Sequence, residues 1–289
     1  MDEFKINSIS ALLELISKTK KDGHTLYFRG QKRQYETIMP SINRDGLLES
    51  EDKLFKEFII RNPDEFKGQR STFEILTKMQ HYGLPTRLLD ITTNPLVALF
   101  FAVEFDKKTE SESGDFIIYA IPDKFIKYYD SDTVSVVSNV VKRPSNKLDI
   151  SKISRKFSDQ ESKEQWINRF NRHIHIKYLL HEIKDEKPYF SHVIQKDHLQ
   201  SIWCVKPLLN NRRIIKQDGA FLLFGIDGTK RKLADYKKAE FRPLRYQVEN
   251  KEALREQLEL LGFSKDKIYP EMDTTADYLK EKYKKVVTM

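Results

Sequence analysis

The chain has a single cysteine, Cys204, among 289 residues. One thiol cannot build an internal disulfide framework, and it suits a reducing compartment. No apolar run approaches the ~20 residues that a helix needs to cross a bilayer. The first ten residues, MDEFKINSIS, are polar and offer no apolar segment of leader length. These two absences predict a soluble, cytoplasmic protein with no membrane partner. Glycine-rich phosphate loops, nucleophile elbows and zinc-ligand repeats are lacking as well. His173, His175 and His181 diverge around a helix or lie too far apart along it, so no metal is expected. No carboxylate cluster or Ser–His spacing points to a nuclease or hydrolase, and there is no internal repeat or low-complexity tract.

What is present is globular in composition, with 39% hydrophobic and 11% aromatic residues. A chain of this length can bury a substantial core, as one large domain or two small ones. A net charge of +8 favours a polyanionic partner such as nucleic acid, although ordinary solvated lysine faces account for the same charge.

Residues 80–105, QHYGLPTRLLDITTNPLVALFFAVEF, organise the rest. Positions 96–103 are apolar on every side, so as a helix they are stable only when surrounded by protein. Asn94 and Pro95 mark its start, because the Asn oxygen caps free N–H groups and proline fits the first turn. Asp90, Thr92, Thr93 and Asn94 then crowd the positive end of a buried helix dipole, where a phosphate or carboxylate is favoured. Each also serves as a plain cap or turn residue; as a group they form a candidate site.

Before this stretch, Ser8 caps a helix over 9–20, closed by Gly23. HTLYFR alternates as a strand over 24–29, with Leu26 and Phe28 on one face and Tyr27 and Arg29 on the other. The segment through Gly46 is loop-like, and helical spacing over 52–61 stops at Pro63. Ser71 and Glu74 are spaced as a capping box for a helix ending at His81 and Tyr82, with Gly83 as its C-cap. Beyond the buried helix, 115–121 and 133–141 read as strands and 147–160 as loop. Trp166, Phe170, Ile174 and Tyr178 predict one long amphipathic helix over 161–183. Strands follow at 201–205, 220–224 and near 242–248, with an amide- and cation-rich loop over 207–217. Asn250 caps a helix to Leu261, and Asp273 a last one to Lys285. The irregular order predicts an α+β fold with mixed or antiparallel strands.

Three patterns together resemble the FRG-domain family, named for a Phe-Arg-Gly tripeptide. They are LYFRGQ at 26–31, HYGLPTRLLD at 81–90 running on through Asn94 and Pro95 to Phe101 and Ala102, and Arg213, Ile214, Gln217, Gly219 and Phe221. The carboxy-terminal LELLGFSKDKIYPEMD resembles the segment that often closes such proteins. The likeness implies a single domain over 1–289, interrupted by a helical insertion at about 125–195. The family is defined by pattern rather than by a settled activity. Its members are often found in bacterial mobile or defence-related gene neighbourhoods, which implies an anti-phage or toxin effector with an antitoxin or other neutralising partner.

The order of residues is also similar to that of arginine-type ADP-ribosyltransferases. There an Arg ends the first core strand, a hydroxyl pair precedes a helix with an A-x-x-F-A-type run, and a Glu stands before a later strand. Arg29, Thr92 with Thr93, residues 98–102 and Gln217 fall in those places. The resemblance implies a split mixed or antiparallel sheet flanked by helices, and NAD as substrate with no metal. It assigns catalysis to Arg29, Thr92 and Gln217. The dinucleotide would lie against Arg29, Gly30, His81, Tyr82, Asp90, Thr92, Thr93 and Asn94. Asn211, Arg212, Arg213 and Lys216 occupy the acceptor loop, where cations favour nucleic acid, RNA above all, over protein. Gln217 departs from the pattern, since an amide bonds a ribose hydroxyl but brings no negative charge; Asp218, one position on, is expected to point the other way. Arg29 suits bidentate phosphate binding, or else a buried pair with Asp90, a role open to Arg87 too. A non-catalytic module that binds a nucleotide or nucleic acid through the same pocket is the alternative function.

Overall fold

The computed structural model describes residues 4–151, 153, 162–271 and 278–280. The chain enters through β1 (Lys5–Ile6), α1 (Ile9–Thr19) and β2 (His24–Gln31), and then α2 (Glu51–Arg61), α3 (Pro63–Phe66) and α4 (Thr72–His81) lead to β3 (Leu88–Thr92). Next come α5 (Pro95–Val103), β4 (Gly114–Pro122), β5 (Ile126–Tyr128) and the helices α6 (Asp132–Ser138), α7 (Lys163–Asn171), α8 (Ile174–Glu186) and α9 (Lys196–Leu199). The last part holds β6 (Ile202–Lys206), α10 (Arg212–Lys216), β7 (Gly219–Phe224), β8 (Ile226–Asp227), β9 (Thr229–Leu233), β10 (Leu244–Val248), α11 (Lys251–Leu260) and α12 (Lys265–Ile268). Among the described residues no helix is long and apolar enough to cross a membrane.

The protein is α+β, built on one mixed eight-stranded open sheet in the order β1-β10-β4-β2-β3-β7-β6-β5. Its two edge pairings, β1 with β10 and β5 with β6, are parallel and the others antiparallel. The seam at the centre is thin. Strands β2 and β4 match at eight positions, whereas β2 and β3 meet only at Phe28 and Thr92. The sheet is thus two half-sheets joined at one pair.

Alternation along the strands sorts side chains onto two faces. On one face α5 lies over β2 and β4, and Phe28, Phe116 and Ile118 join Val97, Ala98 and Leu99 in a core shared with α1 and α11. That face continues over the other half-sheet, where Leu88, Phe221 and Leu223 meet Phe73, Leu76 and Val137 from α4 and α6. On the opposite face Tyr27, Ile117, Ile91 and Leu222 are covered by Ile38, Ile42 and Leu48 and by Leu233 and Phe241. Helices α7 and α8 carry a further cluster around Trp166, Phe170 and Leu179, reached by Ile226.

The sequence reading is corrected at several points. Residues 133–141, β-branched and alternating, form α6 and a short 3-10 turn instead of a strand. Ser131 caps this helix through Val134 N–H, and its residues 133–138 are buried, so packing overrides β-propensity. The single helix expected over 161–183 is broken between α7 and α8. His173 is extended there, and its ring accepts from His175 N–H as the cap of the second helix. The loop expected over 207–217 contains α10, capped by Asn211. Asn250 does precede α11, but in the left-handed conformation and with no side-chain cap bond. Strands β1, β5, β8 and β9 have two to five residues each, too short for alternation to reveal them. Asp273 lies outside the described residues, and of the helix expected after it residues 278–280 are described and are helical.

Candidate functional site

The site begins with a backbone contact. A Cβ on Gly30 would stand 1.7 Å from the carbonyl oxygen of Ala98 and 2.7 Å from the amide of Ala102, and one on Gly114 would stand 2.4 Å from Ala102 O. Only glycine lets α5 seat this closely on β2 and β4. Gly30, expected against a dinucleotide, therefore lies beneath the helix. As expected, α5 starts at Pro95, and Asn94 Oδ1 accepts from the amides of Leu96 (3.0 Å) and Val97 (3.4 Å).

At the N-terminus of α5 the end of β3 is stitched to the residues before β7. Thr92 Oγ1 donates to the Gln217 carbonyl at 2.6 Å and accepts from Asn94 N–H at 3.0 Å. Thr93 N–H donates to the Asp218 carbonyl at 3.1 Å. Asp218 is left-handed, φ +46°, and its carboxylate accepts from Asn94 Nδ2 at 3.1 Å. Strand alternation begins only at Gly219, so the expectation that Asp218 points away from the hydroxyl pair is overturned. The carboxylate is bonded to Asn94 and the main-chain carbonyl of the same residue to Thr93, while Gln217 sends its amide to the Ile268 carbonyl at 3.2 Å.

The neighbouring wall comes from α4, α10 and α12. Asp90 projects from the same face of β3 as Thr92 and accepts from Gln80 Nε2 at 2.9 Å, while Gln80 Oε1 accepts from Thr86 at 2.7 Å. Arg213 lies over the Tyr269 ring at 5.4 Å. Burial, and then the nearby Arg213, push the His81 imidazole below its ordinary pKa. Its Nδ1 is buried with no partner among the described residues, and the exposed Tyr82 ring sits beside it at 5.2 Å. Asn211 Oδ1 accepts from Arg213 N–H at 2.7 Å, and Arg212 and Lys216 stand exposed on α10. Of the sequence-derived residues, His81, Tyr82, Asp90, Thr92, Thr93, Asn94, Asn211, Arg213 and Gln217 thus share one side of the sheet.

Arg29 does not join them on that face. Its neighbour Phe28 pairs with Thr92 and packs under α5, so alternation sends Arg29 to the opposite face. There its charge acts on Tyr119, Tyr236 and Asp115. Its one contact with the site is Nη1 donating to the Asp90 main-chain carbonyl at 2.6 Å, across the thin seam. Neither expected carboxylate pair forms. Arg87 instead is wholly buried and bonds Glu51 through Nε (2.8 Å) and Nη2 (2.5 Å), with Lys230 Nζ 3.4 Å from the same carboxylate. Sequence reasoning missed Glu51 and Lys230, and also Asp115, Arg245, Tyr269 and the role of Asp218. Asp218 lay beside a recognised motif and Tyr269 inside the carboxy-terminal family-like segment; the others meet through long-range pairing.

A cavity of about 600 Å³ lies elsewhere, lined by Glu110, Glu112, Val248, Lys251, Glu252 and Glu256 among others, and takes in none of these groups. No curated protein and no solved structure matches the chain. Nothing in the comparisons supports the ADP-ribosyltransferase likeness, and the third pattern, around Arg213 and Phe221, lies outside the residues that the family model matches. The family model of the FRG domain matches residues 24–111, from the start of β2 to just past α5, and so takes in the Phe-Arg-Gly tripeptide, Gly30 under its helix, and the polar run that caps α5.

Proposed function

We propose that the polar cluster at the N-terminus of α5 binds a nucleotide, NAD foremost, and that the chain transfers ADP-ribose from it to an acceptor, RNA before protein. The observation that carries this reading is the Asp218 carboxylate, held by the Asn94 that caps α5. In the reaction the bond from ribose C1′ to the nicotinamide nitrogen breaks, and nicotinamide leaves with the electron pair. An acceptor nucleophile attacks C1′ and gives up its proton to solvent. Asp218 supplies the negative charge that a developing oxocarbenium needs and that Gln217 lacks. Arg212, Arg213 and Lys216 face the acceptor's phosphates, and His81 with Tyr82 offers rings to the nicotinamide. Arg29 acts as a positioning residue through the Asp90 carbonyl.

The test is incubation of the full chain with labelled NAD and with RNA, DNA or cell extract. We expect label transfer with nicotinamide release, reduced about 10²–10³-fold in Asp218→Asn. Absence of both label transfer and nicotinamide release from the unaltered chain overturns the transferase. A second reading, a nucleotide- or nucleic-acid-binding module without turnover, draws on a different observation: Thr92, Asn94, Gln80 and Gln217 already spend polar atoms on internal bonds. NAD or oligonucleotide binding that raises the thermal midpoint with no nicotinamide release would favour it.

A further inference from the structure

The face of the sheet opposite α5 presents six residues in two rows. Register places Arg29, Ile117 and Arg245 side by side across β2, β4 and β10, and Gln31, Asp115 and Gln247 side by side in the next row. At the usual strand spacing the two arginine backbones stand about 10 Å apart, flanking Ile117. Asp115 is fully buried and accepts from Arg245 Nε at 3.3 Å and Nη2 at 2.6 Å. The Arg245 side chain is 29% exposed, so the patch opens to solvent along β10.

Two atoms in this patch lack partners among the described residues. Arg29 Nε is a buried donor with no acceptor, and Gln31, only 8% exposed, has a buried Oε1 with no donor. Among the described residues no carboxylate lies within ion-pair distance of Arg29, whose observed bond goes to a neutral carbonyl. One carboxylate thus serves this face of two guanidinium groups, and it is bonded to Arg245 alone. Water can complete the hydrogen bonds, but it does not balance the remaining positive charge, and arginine cannot shed its proton.

We infer that this face holds a second ligand site, for a sugar phosphate, in which Arg29 and Arg245 bind the phosphoryl group and Gln31 receives a sugar hydroxyl. Guanidinium groups match phosphate oxygens as paired donors, and an unoccupied amide oxygen beside them calls for a donor on the same ligand. The stacked pair Tyr119 and Tyr236, 6.2 Å between centroids, walls the Arg29 side. The site lies across the sheet from the polar cluster at α5, and Arg29, bonded to the Asp90 carbonyl, is the residue that touches both.

Calorimetric titration of the full chain with ribose 5-phosphate, with sulfate as the anion that carries no hydroxyl, tests this. We expect one ribose 5-phosphate per chain, bound more tightly than sulfate. Arg245→Gln should weaken it about tenfold or more, and Gln31→Met about tenfold, each the loss of one or two good hydrogen bonds. Arg213→Gln, on the other face, should leave it within about twofold. Gln31→Met is nearly isosteric and decides the matter should Arg245→Gln fail to fold, as judged by circular dichroism. The inference is overturned by no binding at millimolar ligand, by sulfate binding equally well, by unchanged affinity in a folded Gln31→Met chain, or by loss of affinity in Arg213→Gln.

Discussion

Two charged triads in this molecule have the same arithmetic and different surroundings. Glu51 with Arg87 and Lys230 is interior, each side chain at most 2% exposed, whereas Asp115 with Arg245 and Arg29 borders solvent. Each sets two cations against one carboxylate. The interior triad has a release, because lysine can lose its proton: burial pushes the Lys230 amine down to about 8, against the pull of Glu51. Lys230 also donates to the carbonyls of Val141 and Arg143, so its hydrogens stay occupied. The open triad has two arginines and no such release, so its excess charge must be met from outside. Their carboxyls differ in turn. Burial would raise Glu51, but Arg87 and Lys230 outweigh it and hold it low. Burial does raise Asp115, despite Arg245.

The contrast can be broken from either side. Glu51→Gln leaves two buried cations with no carboxylate and should cost about 3–5 kcal/mol in urea denaturation; a loss below about 1 kcal/mol would mean that the triad is not desolvated. Asp115→Asn should cost at most about 1 kcal/mol, since Arg245 can turn to water. An equal penalty at both positions would erase the distinction drawn here.

The smallest effect is in pH. Between about 8 and the ordinary lysine value of 10.5, Lys230 is largely neutral when folded and protonated when unfolded. The unfolded chain then binds more protons, so this group makes stability rise with pH through that window. A melting series from pH 7.5 to 10.5 should show the rise relative to Lys230→Met, and parallel curves for the two chains would remove lysine as the release.

How much of this was legible beforehand depended on how far apart the partners lie in the chain. The start of α5, the Ser8 and Ser71 caps and the alternation of β2 follow from neighbours within a few positions, and all are present, whereas β3 was not foreseen. The same alternation, read on one strand alone, put Arg29 on the face away from Phe28. It could not tell that Thr92 belongs with Phe28, because that needs the pairing of two strands 64 residues apart. Asp218 was misread because the left-handed turn reverses a side chain in one residue, with no glycine to announce it. Both triads escaped for the same reason as the seam: Glu51, Arg87 and Lys230 share no motif.

The family match supplies only β2 and β3 of the eight strands, and these two touch at a single residue pair. Everything that pairs them fully, β4 on one flank and β7 on the other, comes later in the chain. A recombinant piece trimmed to 24–111 would expose two unzipped edges and strand Arg87 and Glu51 without their lysine, so it should aggregate. The recognisable stretch is therefore a seal across the middle of the molecule, and its borders say nothing about where an autonomous folding unit could be cut.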